Sequence, residues 1–254
     1  MSSRIILKFI LFCLIGSISC SKNSRPSSGG SYNTLYIFAD KDTRTITENV
    51  INSAFIKYIK TPEEEQVYFL EWVNFDSLEN YKFKRNLIFL ADFSITGDVS
   101  KWVVQALELS TRKAVLDGKE WLFVKKNLFA KDQLVLFLIA PTSKELALNI
   151  VMNSDMLYQI VDQSVNERVS DFLYSTGIFG KENIKARRKL EQDWGFSMRI
   201  PQFYDLEKWD TNFVWFRALK PERWVFVYFE KTADSTISME YWLEKRNLVG
   251  KRYY

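Results

Sequence analysis

The chain has 254 residues, 47% hydrophobic and 26% charged, with 35 Lys and Arg against 31 Asp and Glu. That is the composition of a globular protein able to bury a full core, without the excess of basic charge that marks a nucleic-acid partner. There is no histidine, and the only cysteines are Cys13 and Cys20. Cys13 lies in an apolar leader, so with Cys20 acylated the mature chain has neither imidazole nor free thiol, which excludes Ser-His-Asp and Cys-His catalysis, His or Cys zinc sites, thiol redox chemistry and disulfides.

Carboxylate, Lys, Tyr, Ser and Thr chemistry remains, and no cofactor or metal site is expected. The sequence excludes more than it assigns.

The first element is a leader. Arg4 and Lys8 flank or punctuate an apolar run from Ile5 to Ile15, and the small residues Gly16, Ser17 and Ser19 lead to Cys20. This is the order of a secretory signal. The run is about 11 residues, short of the ~20 needed to cross a bilayer. A cysteine directly after the small residues predicts a lipoprotein signal, residues 1–19, with a diacylglyceryl group on the Cys20 sulfur and palmitate as a further acyl chain. Two or more acyl chains anchor a protein stably. The alternative is an ordinary secretory signal cut near Ser19, with Cys20 a bystander. Ser21, Lys22 and Arg25 after the cysteine point to the periplasmic face of the outer membrane.

Residues 20–33 read as a flexible polar tether, Ser21 to Ser31 having no apolar residue to dock. Leu35 to Phe38 predicts a strand. Thr45 to Tyr58 predicts a helix from Val50, Ile51, Ala54, Phe55 and Tyr58. Glu63, Glu64 and Glu65 break the pattern before a strand over Val67 to Val73. Leu87 to Leu90, apolar on both faces, predicts a central strand. Trp102, Val103, Ala106 and Leu107 suggest a short helix, Trp121 to Val124 a strand, and Gln133 to Ala140 a buried strand.

Pro141 stops that strand, and Thr142-Ser143-Lys144-Glu145 offers an N-cap with an acidic first turn. A helical pattern then runs to about Tyr174 with a break around Asn153-Ser154. Lys181 to Gln192 reads as a basic helix and Phe196 to Ile200 as a strand. Asn212 to Ala218 and Arg223 to Phe229 form the clearest hairpin. Pairing across Leu219-Lys220-Pro221-Glu222 sets Phe213 against Tyr228, Trp215 against Phe226 and Arg217 against Trp224 on one face, with Val214, Phe216, Val225 and Val227 on the other. Ile237 to Asn247 predicts a last helix.

The order of elements defines the α+β class: a mixed or antiparallel sheet with helices packed on it, in a single globular domain over 34–254. It also hints at two related halves, 34–127 and 130–254, sharing a sheet.

Several patches, taken in order, carry a family likeness. They are Pro26-Ser27-Ser28-Gly29, Arg85-Asn86, Ala130-Lys131-Asp132-Gln133, Glu167-Arg168, Ile200-Pro201, Asn212 to Arg217, and Arg246-Asn247. Together they resemble an uncharacterised lipoprotein family of Bacteroidetes-type bacteria, domain of unknown function 4837. The resemblance implies an envelope lipoprotein and brings no activity or catalytic residue. It also implies that relatives run on past Tyr254.

Among candidate sites, the aromatic face Phe213, Trp215, Trp224, Phe226 and Tyr228 with Arg217 is the sharpest. Flat rings edged by a cation suit stacking on sugar rings or a peptide. Aromatic residues at strand spacing are first of all packing, so a covering helix is the primary expectation, with Arg217 lying over Trp224. Glu63-Glu64-Glu65 and Glu191 with Asp193 are candidate carboxylates for glycoside cleavage, read first as solvated turns. Lys185, Arg187, Arg188 and Lys189 form a basic run suited to anionic lipid or to a solvated helix face. The leading expectation is a non-enzymatic binding module on the envelope, whose partner is an envelope protein or cell-wall glycan. A hydrolase or lyase using Asp or Glu is the alternative.

Overall fold

The computed structural model describes residues 25–60, 63–174, 182–219, 222–230 and 238–253. The leader, Cys20 and the expected lipidation lie outside the described residues, as do Lys220 and Pro221 of the hairpin turn. By its internal contacts the chain divides between Asn166 and Glu167 into two units.

The first unit runs β1 (Thr34–Ala39), α1 (Lys41–Phe55), β2 (Tyr58–Lys60), β3 (Glu64–Gln66), β4 (Phe69–Val73), α2 (Leu78–Tyr81) and β5 (Asn86–Asp92). It continues through α3 (Asp98–Gln105), α4 (Leu109–Leu116), β6 (Leu122–Lys126), β7 (Leu134–Ala140) and α5 (Ser143–Met152), and α6 (Ser154–Tyr174) carries the division. The main sheet has the order β4-β1-β5-β7-β6. Its first four strands are parallel and β6 is an antiparallel edge.

Parallel neighbours need crossovers, and helices supply them, so both sheet faces are covered. That is why Asn86–Asp92 is buried at every position. On one face Phe38, Phe89 and Phe137 stack in a column, with ring centroids 4.9 and 5.1 Å apart, beneath Trp102 of α3. On the other, α1 and α5 pack together and against β5 and β7. Each fully buried Phe, Leu or Ile contributes about 1.5–3 kcal/mol.

Several expectations need correction. The helix expected from Thr45 starts at Lys41, and its buried face is Thr43, Thr47, Ile51, Ala54 and Phe55; two inward threonines obscure the apolar period. Tyr58, expected on that helix, lies in β2 and is exposed. Glu64 and Glu65 are in β3, paired with Lys60 and Ile59.

The tether is docked from Pro26 onward. Lys131 N donates to Pro26 O, Ser28 N to Lys131 O, Gly29 N to Phe83 O and Arg85 N to Gly29 O, at 2.8 to 3.0 Å. Backbone pairing holds a polar segment that has no apolar residue to bury. Of the halves 34–127 and 130–254, the second sends β7 into the five-stranded sheet between β5 and β6 of the first, while its strands after residue 200 form a separate sheet.

The second unit contains α7 (Ile184–Trp194), β8 (Asp205–Trp209), β9 (Phe213–Leu219), β10 (Glu222–Tyr228) and α8 (Met239–Tyr253), with an antiparallel sheet of order β10-β9-β8. Asn183 caps α7 by accepting from Ala186 N at 3.0 Å, and Gly195 ends it in the left-handed region at φ +74°. Phe196 to Ile200 is not a strand. Phe196, Met198 and Ile200 do turn into the core in alternation, but the segment's backbone joins no sheet. β8 replaces it, and its polar sequence Asp-Leu-Glu-Lys-Trp gave no strand signal. Among the described residues no helix is long and apolar enough to cross a membrane.

Candidate functional site

The hairpin forms in the expected register, Phe213 opposite Tyr228, Trp215 opposite Phe226 and Arg217 opposite Trp224. The core, however, lies on the other face. Val214, Phe216 and Ala218 are buried with Ala186 and Leu190 of α7, Ile200 and Tyr204. The aromatic face is divided. Phe213 is buried, and Tyr228 is half-buried with its hydroxyl donated to Glu230 at 2.7 Å. Trp215 is half-buried and meets Trp224 edge to face at 5.6 Å. Trp224 and Phe226 are 43% and 44% exposed.

Arg217 does not lie over Trp224 as expected. It donates to Glu222 Oε1 through Nη2 at 2.6 Å and Nε at 3.1 Å, and Trp224 Nε1 donates to the same oxygen at 3.1 Å. The Arg217 bonds, then that from Trp224, hold the Glu222 carboxyl below the usual carboxylate range. An ionised carboxylate and a guanidinium thus stand at the edge of an exposed indole.

The other candidates do not converge. Glu191 and Asp193 pair along α7 with Arg187 and Lys189, at 4.0 and 2.6 Å. Arg187 also holds Glu182 at 2.9 Å, so two members of the basic run are already neutralised. Lys185 and Arg188 are exposed on α7. Among the described residues no three acidic, His or Cys side chains are grouped to hold a metal. Glu120 and Glu145 do line one cavity of about 200 Å³ beside Trp121, yet both are exposed.

A site that sequence reasoning missed lies at the carboxyl ends of β1 and β5, where the strand order reverses and parallel sheets commonly bind ligands. Asp92 there is fully buried. Its Oδ2 accepts from Thr43 Oγ1 at 2.9 Å and Ser143 Oγ at 2.5 Å, and its Oδ1 from Ser94 N at 3.0 Å and Ser94 Oγ at 2.7 Å. Four donors fill the four lone-pair sites of a carboxylate. Asp40 accepts from Val99 N and Ser100 N, at 3.0 and 2.9 Å, at the start of α3. Both acids therefore tie helices to the sheet. The only sequence signal was an Asp closing each of two buried strands.

The C-terminal unit is thus an antiparallel sheet with a helix on one face and partly open aromatic side chains on the other. Residues 183–254, which take in α7, β8 to β10 and α8, match the family model described as Domain of unknown function (DUF4837). This agrees with the resemblance over that span. No curated protein and no solved structure matches the chain.

Proposed function

We propose that the chain is a lipid-anchored protein of the bacterial envelope, moored through Cys20, whose C-terminal unit binds cell-wall glycan without chemically changing it. One observation carries the binding reading: Trp224 and Phe226 stay nearly half exposed beside the Arg217–Glu222 pair, while the opposite face of the same sheet is the core. An indole face stacks on the C–H face of a sugar ring. A carboxylate and a guanidinium at its edge accept from and donate to ring hydroxyls, and together they give orientation as well as contact.

The test is titration of the full chain in detergent with muramidase-released peptidoglycan fragments, followed by tryptophan fluorescence. Trp224→Ala and Phe226→Ala are each expected to weaken binding about tenfold; fragments that leave the fluorescence unchanged, or bind both variants equally well, overturn the glycan reading. Labelled palmitate that enters the chain but not a Cys20→Ser variant supports the anchor, and a wild-type chain that takes up none removes it.

A carboxylate-dependent hydrolase is the second reading, and Glu120 with Glu145 in one cavity is its support. A general acid is made by removing water from a carboxyl, and these two are exposed. New reducing ends from intact peptidoglycan, lost in Glu145→Gln, would raise this reading above the first.

A further inference from the structure

The two edges of the C-terminal sheet differ in kind. β8 is blunted as exposed edges usually are, by charge at Asp205, Glu207 and Lys208 and by a register shift between Leu206 and Lys208. β10 has no register shift, and its charges are confined to Glu222 and Arg223 at one end. Its seven residues, Glu-Arg-Trp-Val-Phe-Val-Tyr, contain no Lys or Pro and pair with β9 without a shift, and among the described residues no strand covers its outer side. Glu222 to Phe226 are exposed in succession. Such an edge is a template for another strand.

A cavity of about 360 Å³ opens beside that edge, lined by Arg223 and Val225 of β10 and by Tyr174, Arg199, Pro201 and Phe203 among others. Arg223 and Val225 are two residues apart and so on one face of the strand, the face opposite Trp224 and Phe226. Among the described residues no Asp or Glu lines the cavity.

Its two guanidiniums are prepared differently. Arg199 is fixed: Nε donates to Glu182 at 3.2 Å, Nη2 donates to Tyr174 O at 3.0 Å, and its guanidinium lies 4.3 Å over the Tyr174 ring. The Glu182 side chain, 5% exposed, is shared with Arg187. Arg223 is exposed and has no charged partner among the described residues.

We propose that β10 docks an extended segment of a partner protein bearing an Asp or Glu two positions from an apolar residue. The segment's main chain continues the sheet beyond β10. Its acidic side chain lies opposite Arg223, and its apolar side chain lies opposite Val225 over the cavity. Cross-strand pairing fixes that spacing, because side chains two apart on the added strand meet side chains two apart on β10. A side-chain carboxylate is the source, since the edge runs on past Val225 to Tyr228 and gives an internal segment length to pair. The inference does not rest on the glycan reading, which uses the other face.

The experiment uses the full chain in detergent micelles and a fluorescein-labelled peptide, Gly-Thr-Thr-Glu-Thr-Ile-Thr-Thr-Gly amide, read by anisotropy. Saturable binding is expected. Arg223→Glu weakens it at least about tenfold, and replacing the peptide's Glu by Lys restores affinity for that variant. Of two peptides N-methylated at the Glu or at the Thr after it, one loses binding and the other keeps it, since only alternate N–H groups of a strand face its neighbour. The proposal is overturned if the parent peptide does not bind, if Arg223→Glu binds it unchanged, or if both N-methylated peptides bind like the parent. A dimer of the chain that excludes the peptide, its β10 edges paired with each other, overturns it as well. The peptide contrast is read at Arg223 and the glycan contrast at Trp224 and Phe226, with different ligands, so failure here and failure of the glycan reading are told apart.

Discussion

Tyr253 stacks on Phe213 with ring centroids 3.8 Å apart and planes 4° from parallel. The last turn of α8 thereby closes one end of the aromatic face, and the Tyr253 hydroxyl fastens it by donating to Asp210 at 3.0 Å. The expected covering helix exists, but it covers Phe213 and leaves Trp224 and Phe226 exposed. Tyr253→Ala is expected to lower unfolding stability by about 1 kcal/mol beyond the lost burial, the usual worth of an aromatic pair. Tyr253→Phe, which keeps the ring, loses less. Urea denaturation followed by far-ultraviolet circular dichroism measures both, and equal losses would show that the ring contact is worth nothing.

Acid is expected to loosen the other attachment of α8. Glu230 accepts from Lys245 Nζ at 2.8 Å, from the Tyr228 hydroxyl at 2.7 Å and from the Tyr241 hydroxyl. These bonds, that from Lys245 foremost, hold its carboxyl at about 2, below the ordinary 4.5. A group with a lowered folded value contributes stability above its unfolded value and loses it as pH falls through the folded one. The contribution is therefore complete above about pH 5 and fades toward pH 2, while Lys245, pushed up to about 12, stays charged throughout. Glu230→Gln is expected to be less stable at neutral pH and to show a flatter stability curve between pH 5 and pH 2. A variant with the wild-type slope would place the acid sensitivity elsewhere.

Asp92 joins three segments distant in sequence, through Thr43 of α1, Ser94 and Ser143 of α5. Asp92→Ala leaves two buried hydroxyls and the Ser94 N–H without their acceptor. At about 1–3 kcal/mol for each abandoned buried group, the loss is expected to exceed about 3 kcal/mol. Asp92→Asn is milder, because hydroxyls can turn to accept from an amide. Thermal unfolding of the two variants ranks them, and equal melting temperatures would show that the carboxylate does not organise this end of the sheet.

The features legible in the sequence are those that depend on local pattern. The β9–β10 register follows from period-two alternation on both arms. The Thr142 cap, whose side chain accepts from Glu145 N at 3.2 Å, and the helix break at Asn153 follow from capping chemistry. Long-range choices were not legible. An apolar run such as Leu87 to Leu90 fits any buried strand, so the parallel order β4-β1-β5-β7 could not be read from it. The docking of Ser28 and Gly29 depends on the carbonyls of Lys131 and Phe83, about a hundred and about fifty residues away. Three patches that carried the family resemblance meet there: Arg85 Nε donates to Gly30 O at 2.9 Å, Asn86 Nδ2 to Tyr32 O at 2.9 Å, and Gln133 Nε2 to Lys82 O and Lys84 O at 2.7 Å. Their role in the fold is to satisfy the backbone where strands begin. The aromatic face was legible as residues but not as a site, because alternation says which side chains share a face and nothing about which face a helix will cover.

Gly97 isolates one such long-range choice in a single atom. Asp40 occupies the N-cap position of α1 but makes no side-chain bond to its own helix; its carboxylate instead takes the first N–H groups of α3, where the partial positive charge of a helix start favours an anion. It gets that close because Gly97 has no side chain. A Cβ there would lie 2.2 Å from Asp40 Cγ and Oδ1, far inside contact distance. Gly97→Ala therefore has to displace the carboxylate and strip α3 of its cap, a loss expected at about 1–2 kcal/mol, although alanine at an ordinary N-cap in place of glycine costs less. Asp40→Ala removes the same cap and the same obstacle, so adding Gly97→Ala to it should cost little more. A double-mutant cycle by chemical denaturation measures the coupling. Additive losses would show that Gly97 matters for its backbone and not for the room it leaves Asp40.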